Sequence, residues 1–236
     1  MLSLRRARLE ALALLSAPGA MTHAPPSASV ALSKRVTDIL VATILLIASS
    51  PIWLVAAVII RLSSPGPVLF RQERVGIDGK RFTCYKFRTM HHGATDQTHR
   101  ELVVGMLKRS ERSAGARSEY KLVDDPRVIG ACRWLRKTSL DELPQLINVL
   151  RGEMSMVGPR PPLPYEVEHY REWQMERLTV RPGITGLWQI SGRNRLTYDE
   201  MCALDIHYIR SWSYMTDIMI MAVTPWVMFV DGGGAE

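Results

Sequence analysis

The chain has few cysteines and no arrangement of them that suits a metal centre or a disulfide framework. Its 236 residues include only three, Cys84, Cys132 and Cys202, an odd number at wide spacings. Disulfide scaffolds and structural zinc sites depend on paired, closely spaced cysteines. The scarcity therefore argues against both classes and favours a reducing compartment in which the three thiols serve packing.

Acidic residues are also in deficit. There are 23 Asp or Glu residues against 30 Lys or Arg, which gives a net charge of +7. An excess of positive charge points to an anionic partner: nucleic acid, lipid headgroups or a phosphorylated substrate. The chain lacks an aromatic-rich RNA motif and a recognition helix, so we expect no nucleic-acid partner. A basic nucleic-acid-binding protein nevertheless remains one alternative.

A long uncharged segment is present between residues 39 and 60. Its 22 residues would extend ~33 Å as a straight helix, enough to cross a hydrocarbon core. Ser50 and Pro51 lie near its middle, where proline removes a backbone hydrogen bond and bends a helix. The segment is therefore predicted to be a membrane helix with a break at these two residues.

Positive charge flanks this segment on both sides, at Lys34 and Arg35 before it and at Arg61, Arg71 and Arg74 after it. Basic flanks are retained in the cytoplasm, so both ends are expected there. A straight span would place only one basic end in the cytoplasm, whereas a re-entrant helix broken at proline would place both ends there. We favour re-entry.

Two adjacent carboxylates, Asp141 and Glu142, stand in the segment 138–145. In one interpretation Ser139 and Glu142 form a capping box, which satisfies the free amides at a helix start. Pro144 disfavours it, because proline would then be the fifth helical residue. In the other, the helix begins at Leu140 or Asp141 and its positive end keeps both carboxylates ionised near bound phosphate. The pattern alone leaves both open.

Several cations stand where they could bind phosphate. Residues 68–74 and 80–87 read as two strands joined through Asp78 and Gly79, and Lys86 and Arg88 share one strand face. Arg160 and Arg181 stand in proline-rich loops that would fix a guanidinium for bidentate contact. The alternatives are a basic face near anionic lipid and rigid loops whose arginines face water.

Two later segments are candidates for membrane contact. Residues 165–179 place Val167, Tyr170 and Trp173 on one side, as an interfacial helix would. Packing of that side on the protein's own core would explain the pattern nearly as well. Residues 218–230 are apolar but too short for a span, which predicts a buried or surface-lying helix.

The chain resembles a known family in a consistent order of motifs. These are Lys34-Arg35 with Asp38, residues 63–72, 86–90, 135–152, 156–162 and 181–189, and Gly192-Arg193. Together they resemble the bacterial sugar transferases, the small monotopic polyprenol-phosphate phosphoglycosyl transferases of the exopolysaccharide type. The expected fold is then α+β: a flexible tail at 1–33, a re-entrant membrane helix at 34–62, and a cytoplasmic catalytic domain at 63–236. That domain is expected to be mainly helical, with a small β-hairpin and interfacial amphipathic helices.

The resemblance implies transfer of a sugar 1-phosphate from a nucleotide diphosphosugar, expected to be a UDP-sugar, to undecaprenyl phosphate. Asp141 would be the nucleophile and Glu142 the principal Mg²⁺ ligand, with Asp141 beside it. Phosphate-binding residues would be Lys86, Arg88, Arg136 and Arg160, with Arg181 in the substrate-binding loop. The expected location is the cytoplasmic face of the bacterial inner membrane.

Cys132 departs from the resemblance, which leads us to expect glycine there and puts the local geometry beneath Arg136 in doubt. A non-enzymatic membrane scaffold of a polysaccharide assembly complex also remains an alternative. The sequence leaves a homo-oligomer open, and no motif in it encodes the donor sugar or the glycan pathway.

Overall fold

The computed structural model describes residues 28–91, 93, 100–101, 105, 127–193 and 196–229. Within them, helices predominate and four short strands form two separate two-stranded sheets. The expected α+β class is confirmed. Most of the predicted tail, residues 1–27, lies outside the described residues.

Two helices open the described chain, α1 at Ala28–Ala48 and α2 at Ser50–Ser63. Residues Ala31–Ala48 are bent by 58° relative to α2, and Pro51 lies in the first turn of α2, where its missing N–H does no harm. The bend falls at Ser49, one residue before the predicted break. Helix α1 begins inside the predicted tail. Among the described residues no single helix has the length and apolarity to cross a membrane, and only this bent pair does so jointly.

An antiparallel hairpin follows, with β1 at Leu69–Val75 and β2 at Arg81–Phe87. The turn uses Asp78 and Gly79, both with positive φ (56° and 74°), as expected for an Asp-Gly connection. The predicted hairpin is confirmed, with its strands displaced by about one residue.

The segment that carries the acid pair forms α3 at Arg133–Lys137, a 3₁₀ turn at Leu140–Glu142 and α4 at Gln145–Arg151. Pro144 is the N-cap of α4, a position that requires no amide. The helical turn does begin at Leu140, as one interpretation predicted, but it is a 3₁₀ turn, and the α-helix begins only at Gln145. The two carboxylates lie in the 3₁₀ turn that precedes the helix.

The remaining elements, in chain order, are β3 at Ser155–Val157, α5 at Pro164–Val167, a 3₁₀ segment at Glu172–Leu178, β4 at Gly183–Thr185, α6 at Leu187–Ser191, α7 at Tyr198–Arg210 and α8 at Tyr214–Phe229. Strands β3 and β4 pair in parallel. The main hydrophobic core gathers side chains from α1, α4, β3, α7 and α8.

The prediction of an interfacial helix over residues 165–179 was wrong. The segment divides into α5 and the 3₁₀ segment, and Tyr170 and Trp173 pack on a cluster from α7. Gln174 and Arg177 are also buried, so the segment rests on the protein's own core. Periodicity missed this because it assumed one continuous helix, whereas the chain breaks between α5 and the 3₁₀ segment. The helix predicted over 218–230 is present as α8 and lies on the surface, with Trp226 exposed.

Both ends of the bent helix pair contact one body of the protein. At the start of α1, Lys34 Nζ lies 2.6 Å from Asp217 Oδ2, and Arg35 donates to two carbonyls at the end of α4. Near the end of α2, Ile60 packs in a cluster with Leu135 of α3. Between these contacts the pair exposes large apolar side chains: Leu40, Ile44, Ile47, Leu54, Val55 and Val58.

Candidate active site

A cavity of about 650 Å³ lies between the hairpin, the 3₁₀ turn at 140–142, β4, α1 and α8. Two carboxylates, Asp141 and Glu142, line it. Seven cations also line it: Arg74, Lys86, Arg88, Arg127, Arg136, Arg160 and Arg193. A strongly positive cavity with one acid pair suits a ligand that carries several negative charges.

The acid pair is turned towards the cavity by the residue before it. Ser139 has φ 54° and ψ 18°, in the left-handed region that side-chain-bearing residues seldom adopt, and it directs the chain out of α3 into the 3₁₀ turn. The Ser139 side chain makes no capping hydrogen bond. The capping-box interpretation was therefore wrong, and the serine serves as a turn residue.

Lys86 links the hairpin to the acid pair. Its Nζ lies 2.8 Å from Glu142 Oε1, in a salt bridge that is partly exposed to the cavity. Burial disfavours the charge on Lys86, but Glu142 and Asp141 together outweigh burial and raise the pKa of Lys86. The lysine therefore stays charged, and it holds one carboxylate of the pair beside a surface that can receive an anion.

Arg88 and Arg136 contribute in different ways. The Arg88 guanidinium is buried and donates to the carbonyls of Pro65, at 2.5 Å, and Ser64, at 2.8 Å. It therefore fastens the exit of α2 to the hairpin as well as lining the cavity. Arg136 lines the cavity from α3, and its guanidinium has no hydrogen-bond acceptor among the described residues. Arg136 thus has donors ready for a ligand.

Arg160 is held firmly at the cavity wall. Its Nη1 donates to both oxygens of the buried Glu166, at 3.0 and 3.2 Å. Burial alone would raise the pKa of Glu166, but Arg160 and Arg74 outweigh it and lower the pKa. The carboxylate is therefore ionised and keeps the guanidinium in place.

Arg74 lines the cavity, although the sequence pattern identified it only as one of the cations that flank the uncharged segment 39–60. It is buried, donates to Gln72 Oε1 at 2.6 Å, and donates through Nη1 to the Pro161 carbonyl at 2.8 Å. Arg74 thus supports the loop that carries Arg160. The signal that could have found it is the alternation of Gln72 and Arg74 along β1, which places both on one strand face.

Arg181 lies apart from the other predicted site residues. It is exposed, its Nε donates to the Gly152 carbonyl at 2.9 Å, and it does not line the cavity. Its loop nevertheless supplies Gly183, Ile184 and Thr185 to the wall. The structure therefore brings together Asp141, Glu142, Lys86, Arg88, Arg136 and Arg160, and leaves Arg181 outside.

The cysteine expected to be glycine fits without strain. Cys132 has φ −101° and ψ 1°, a backbone conformation open to any L residue, and its side chain is fully buried in a cluster with Leu135. The position has no need of glycine here, so the departure leaves the support beneath Arg136 intact.

The acid pair also suits a magnesium ion. The described residues contain no group of three or more His, Cys, Asp or Glu side chains arranged for a metal. Magnesium, however, is commonly held by one or two carboxylates and by the phosphates of a substrate. Asp141 and Glu142 beside a cationic cavity meet that description and would be the residues to hold the ion.

One wall of the cavity is apolar. Helix α1 supplies Val41 and Leu45, and α8 supplies Met221, Pro225 and Met228. Helices α1 and α8, like α2, also expose large apolar side chains on their outer faces. The cavity thus joins an ionic region at the acid pair to an apolar region beside the helices that would meet a membrane.

Comparison with known proteins identifies the family. The model of a family described as bacterial sugar transferase matches residues 29–231. The chain belongs to this family. The resemblance inferred from the motifs is therefore confirmed.

Individual relatives carry names that describe related activities. An exopolysaccharide production protein, ExoY, of Sinorhizobium fredii is 44% identical over 193 residues, which cover 82% of this chain and 84% of ExoY. A galactosyl transferase, CpsE, of Streptococcus agalactiae is 47% identical over 172 residues, 72% of this chain and 36% of CpsE. An undecaprenyl-phosphate galactose phosphotransferase of Salmonella typhimurium is 40% identical over 191 residues, 81% of this chain and 39% of the relative. The chain thus spans most of ExoY but well under half of the other two.

Proposed function

We propose that this protein transfers a sugar 1-phosphate from a nucleotide diphosphosugar, expected to be a UDP-sugar, to undecaprenyl phosphate, and so begins assembly of an exopolysaccharide or another glycan. The observation that carries the proposal is the cavity itself, in which one acid pair stands among seven cations and beside an apolar wall. Both substrates are anionic at the reacting end, and the acceptor is apolar elsewhere. A non-enzymatic scaffold would have no use for an acid pair at a cationic cavity.

Asp141 is the proposed nucleophile. Its carboxylate oxygen attacks the sugar-bearing phosphorus, the bond from that phosphorus to the bridging oxygen breaks, and a nucleoside monophosphate leaves. A phosphate oxygen of the lipid then attacks the same phosphorus and releases the Asp141 carboxylate. The products are the nucleoside monophosphate and a lipid diphosphosugar, and Asp141 is regenerated.

The cations make the first step feasible. A carboxylate approaching a diphosphate meets strong repulsion unless positive charge is already in place. Lys86 and Arg160 are held by ion pairs with Glu142 and Glu166, and Arg136 lines the cavity from α3, so positive charge is already present around the cavity. Mg²⁺ held by Glu142 and Asp141 would supply further charge neutralisation at the phosphates.

The acceptor requires a membrane, and the bent helix pair supports a re-entrant arrangement. Lys34 at the start of α1 and Ile60 near the end of α2 contact the same body, and the apolar side chains between them are exposed. A straight span would carry these two contacts to opposite sides of the bilayer. We propose that the chain enters and leaves the cytoplasmic leaflet of the bacterial inner membrane from one side.

The test is turnover with defined substrates. Purified protein in detergent or in anionic vesicles is offered UDP-sugars one at a time, with Mg²⁺ and undecaprenyl phosphate, and release of UMP is measured. At least one donor should give UMP release that depends on the lipid and on Mg²⁺. Absence of release with every donor, while a partner protein is still bound, would favour the scaffold alternative.

A further inference from the structure

A buried ion pair lies behind the cavity. A contribution to the stability of the fold is not enough to explain its presence. Arg177, in the 3₁₀ segment 172–178, and Asp205, in α7, are both almost fully buried, and Arg177 Nη2 lies 2.9 Å from Asp205 Oδ2. Burying two charges costs about as much as their attraction returns, so such a pair is weak evidence of a stabilising role. A different role is indicated by what else the pair contacts.

Both partners bind the backbone of Arg160. Asp205 Oδ2 accepts a hydrogen bond from the Arg160 amide at 3.3 Å, and Arg177 Nη2 donates to the Arg160 carbonyl at 3.1 Å. One peptide unit on each side of the Arg160 Cα is therefore fixed by one member of the pair. Because Glu166 holds the guanidinium, the side chain and the backbone of Arg160 are both restrained.

The hydrogen bonds of Asp205 are distributed unevenly. Oδ2 accepts hydrogen bonds from Arg177 Nε at 3.0 Å and from the Arg160 amide, and it lies 2.9 Å from Arg177 Nη2 in the ion pair. Oδ1 is buried and accepts no hydrogen bond within the described part of the chain. An unsatisfied buried acceptor is destabilising. The arrangement therefore leaves Oδ1 without a hydrogen bond, while Arg177 and the Arg160 amide both bind Oδ2.

We propose that Arg177 and Asp205 are positioning residues for the transferase reaction, which act by fixing the backbone of Arg160 at the cavity wall. The inference rests on the proposed function, because it assumes that Arg160 binds a phosphate of the substrate. Neither residue lines the cavity. Their influence on turnover therefore passes through Arg160.

The chain offers a matched control between the same two elements. Arg210 of α7 and Glu176 of the 3₁₀ segment form a second ion pair at 2.6 Å, and neither contacts Arg160 or the cavity. Replacing this pair removes another ion pair between the same two elements, one that is more exposed than Arg177 and Asp205. Only the replacement of Arg177 and Asp205 should disturb Arg160.

The experiment is a double-mutant cycle on kcat/KM for the donor. Arg177→Met with Asp205→Leu exchanges the pair for apolar side chains, which is frequently neutral for folding. It should lower kcat/KM by about 10- to 100-fold in an otherwise wild-type protein, since a small displacement of a catalytic group has effects of that order. In an Arg160→Ala background the same change should lower it by less than about twofold, because its target is already absent. Arg210→Met with Glu176→Leu should leave kcat/KM within about twofold of wild type.

Thermal unfolding followed by circular dichroism establishes that each variant is folded. If the apolar pair does not fold, Arg177→Lys takes its place in the cycle, since an ammonium keeps the charge opposite Asp205 but lacks the fork that reaches both partners. Wild-type kcat/KM in the folded variant, or the same loss with and without Arg160, would overturn the positioning role. Lack of turnover by the wild-type protein would instead reject the proposed function.

Discussion

Gly158 stands where two backbones pass unusually close, and it leads directly into Pro159 and Arg160. A Cβ at Gly158 would lie 2.6 Å from the Arg181 carbonyl oxygen and 2.8 Å from the Gly183 nitrogen. Non-bonded heavy atoms settle at about 3.5 to 4.0 Å, so Gly158→Ala forces the chain at β3 and β4 apart by about 1 Å. The obstacles are backbone atoms, which cannot rotate out of the way.

The expected consequence is a stable but poorly active protein. Overpacking of this kind costs about 1–3 kcal/mol of unfolding free energy. A shift of about 1 Å at a phosphate-binding residue lowers turnover by roughly 100-fold. Gly158 does not line the cavity, so the added methyl group obstructs no ligand and the loss would arise from movement of Arg160.

The assay pairs thermal unfolding in detergent with UMP release from the donor. Gly130→Ala is the control, since a Cβ there meets nothing within 4 Å and the residue does not have a positive φ. The control should behave as wild type in both measurements. Full activity in Gly158→Ala would refute the close approach of the strands as the support for Arg160.

Three further experiments test the metal site, the burial of Cys202 and the membrane topology. Glu142→Gln keeps the size of the side chain but removes the charge that would hold Mg²⁺, so UMP release should fall by orders of magnitude at any Mg²⁺ concentration. The control, Glu73→Gln on the exposed hairpin, should have no effect. Equal rates of UMP release from the two variants would discard the metal role of Glu142. Burial raises the pKa of Cys202 to about 12, so this thiol should resist alkylation at pH 8.5 in the folded protein and react only after denaturation; rapid native labelling would contradict its burial. Ser33→Cys and Ser63→Cys, each in a background without the native cysteines, test whether both ends of the bent helix pair lie in the cytoplasm. Both thiols should be protected from an impermeant reagent outside intact cells and should react after permeabilisation. Labelling of Ser33→Cys from outside would exclude re-entry.

The features that the sequence predicts well are those determined by neighbouring residues. The hairpin follows from Asp78 and Gly79, which accept positive φ where the chain must reverse. The bend between α1 and α2 follows from Pro51, which cannot continue the hydrogen bonding of α1. Short-range chemistry of this kind is visible in any window of a few residues.

The features that the sequence does not predict depend on distant partners. Lys86 meets Glu142 across 56 residues, and Arg177 meets Asp205 across 28. The sequence pattern named Val167, Tyr170 and Trp173 for the segment 165–179 but gave no partner for Arg177, because a charged side chain is usually solvated. The motif resemblance located the acid pair, but only the fold shows that Arg181 lies outside the cavity.

The most direct test of the central claim is whether Asp141 carries the sugar phosphate. Wild-type protein mixed with donor and Mg²⁺, without undecaprenyl phosphate, should release a burst of UMP stoichiometric with enzyme. It should retain the sugar phosphate as an acid-stable, hydroxylamine-labile adduct on the peptide that contains Asp141. Asp141→Asn should give neither burst nor adduct. Failure to trap any adduct, together with near wild-type turnover by Asp141→Asn, would contradict the covalent mechanism and reduce Asp141 to a turn residue.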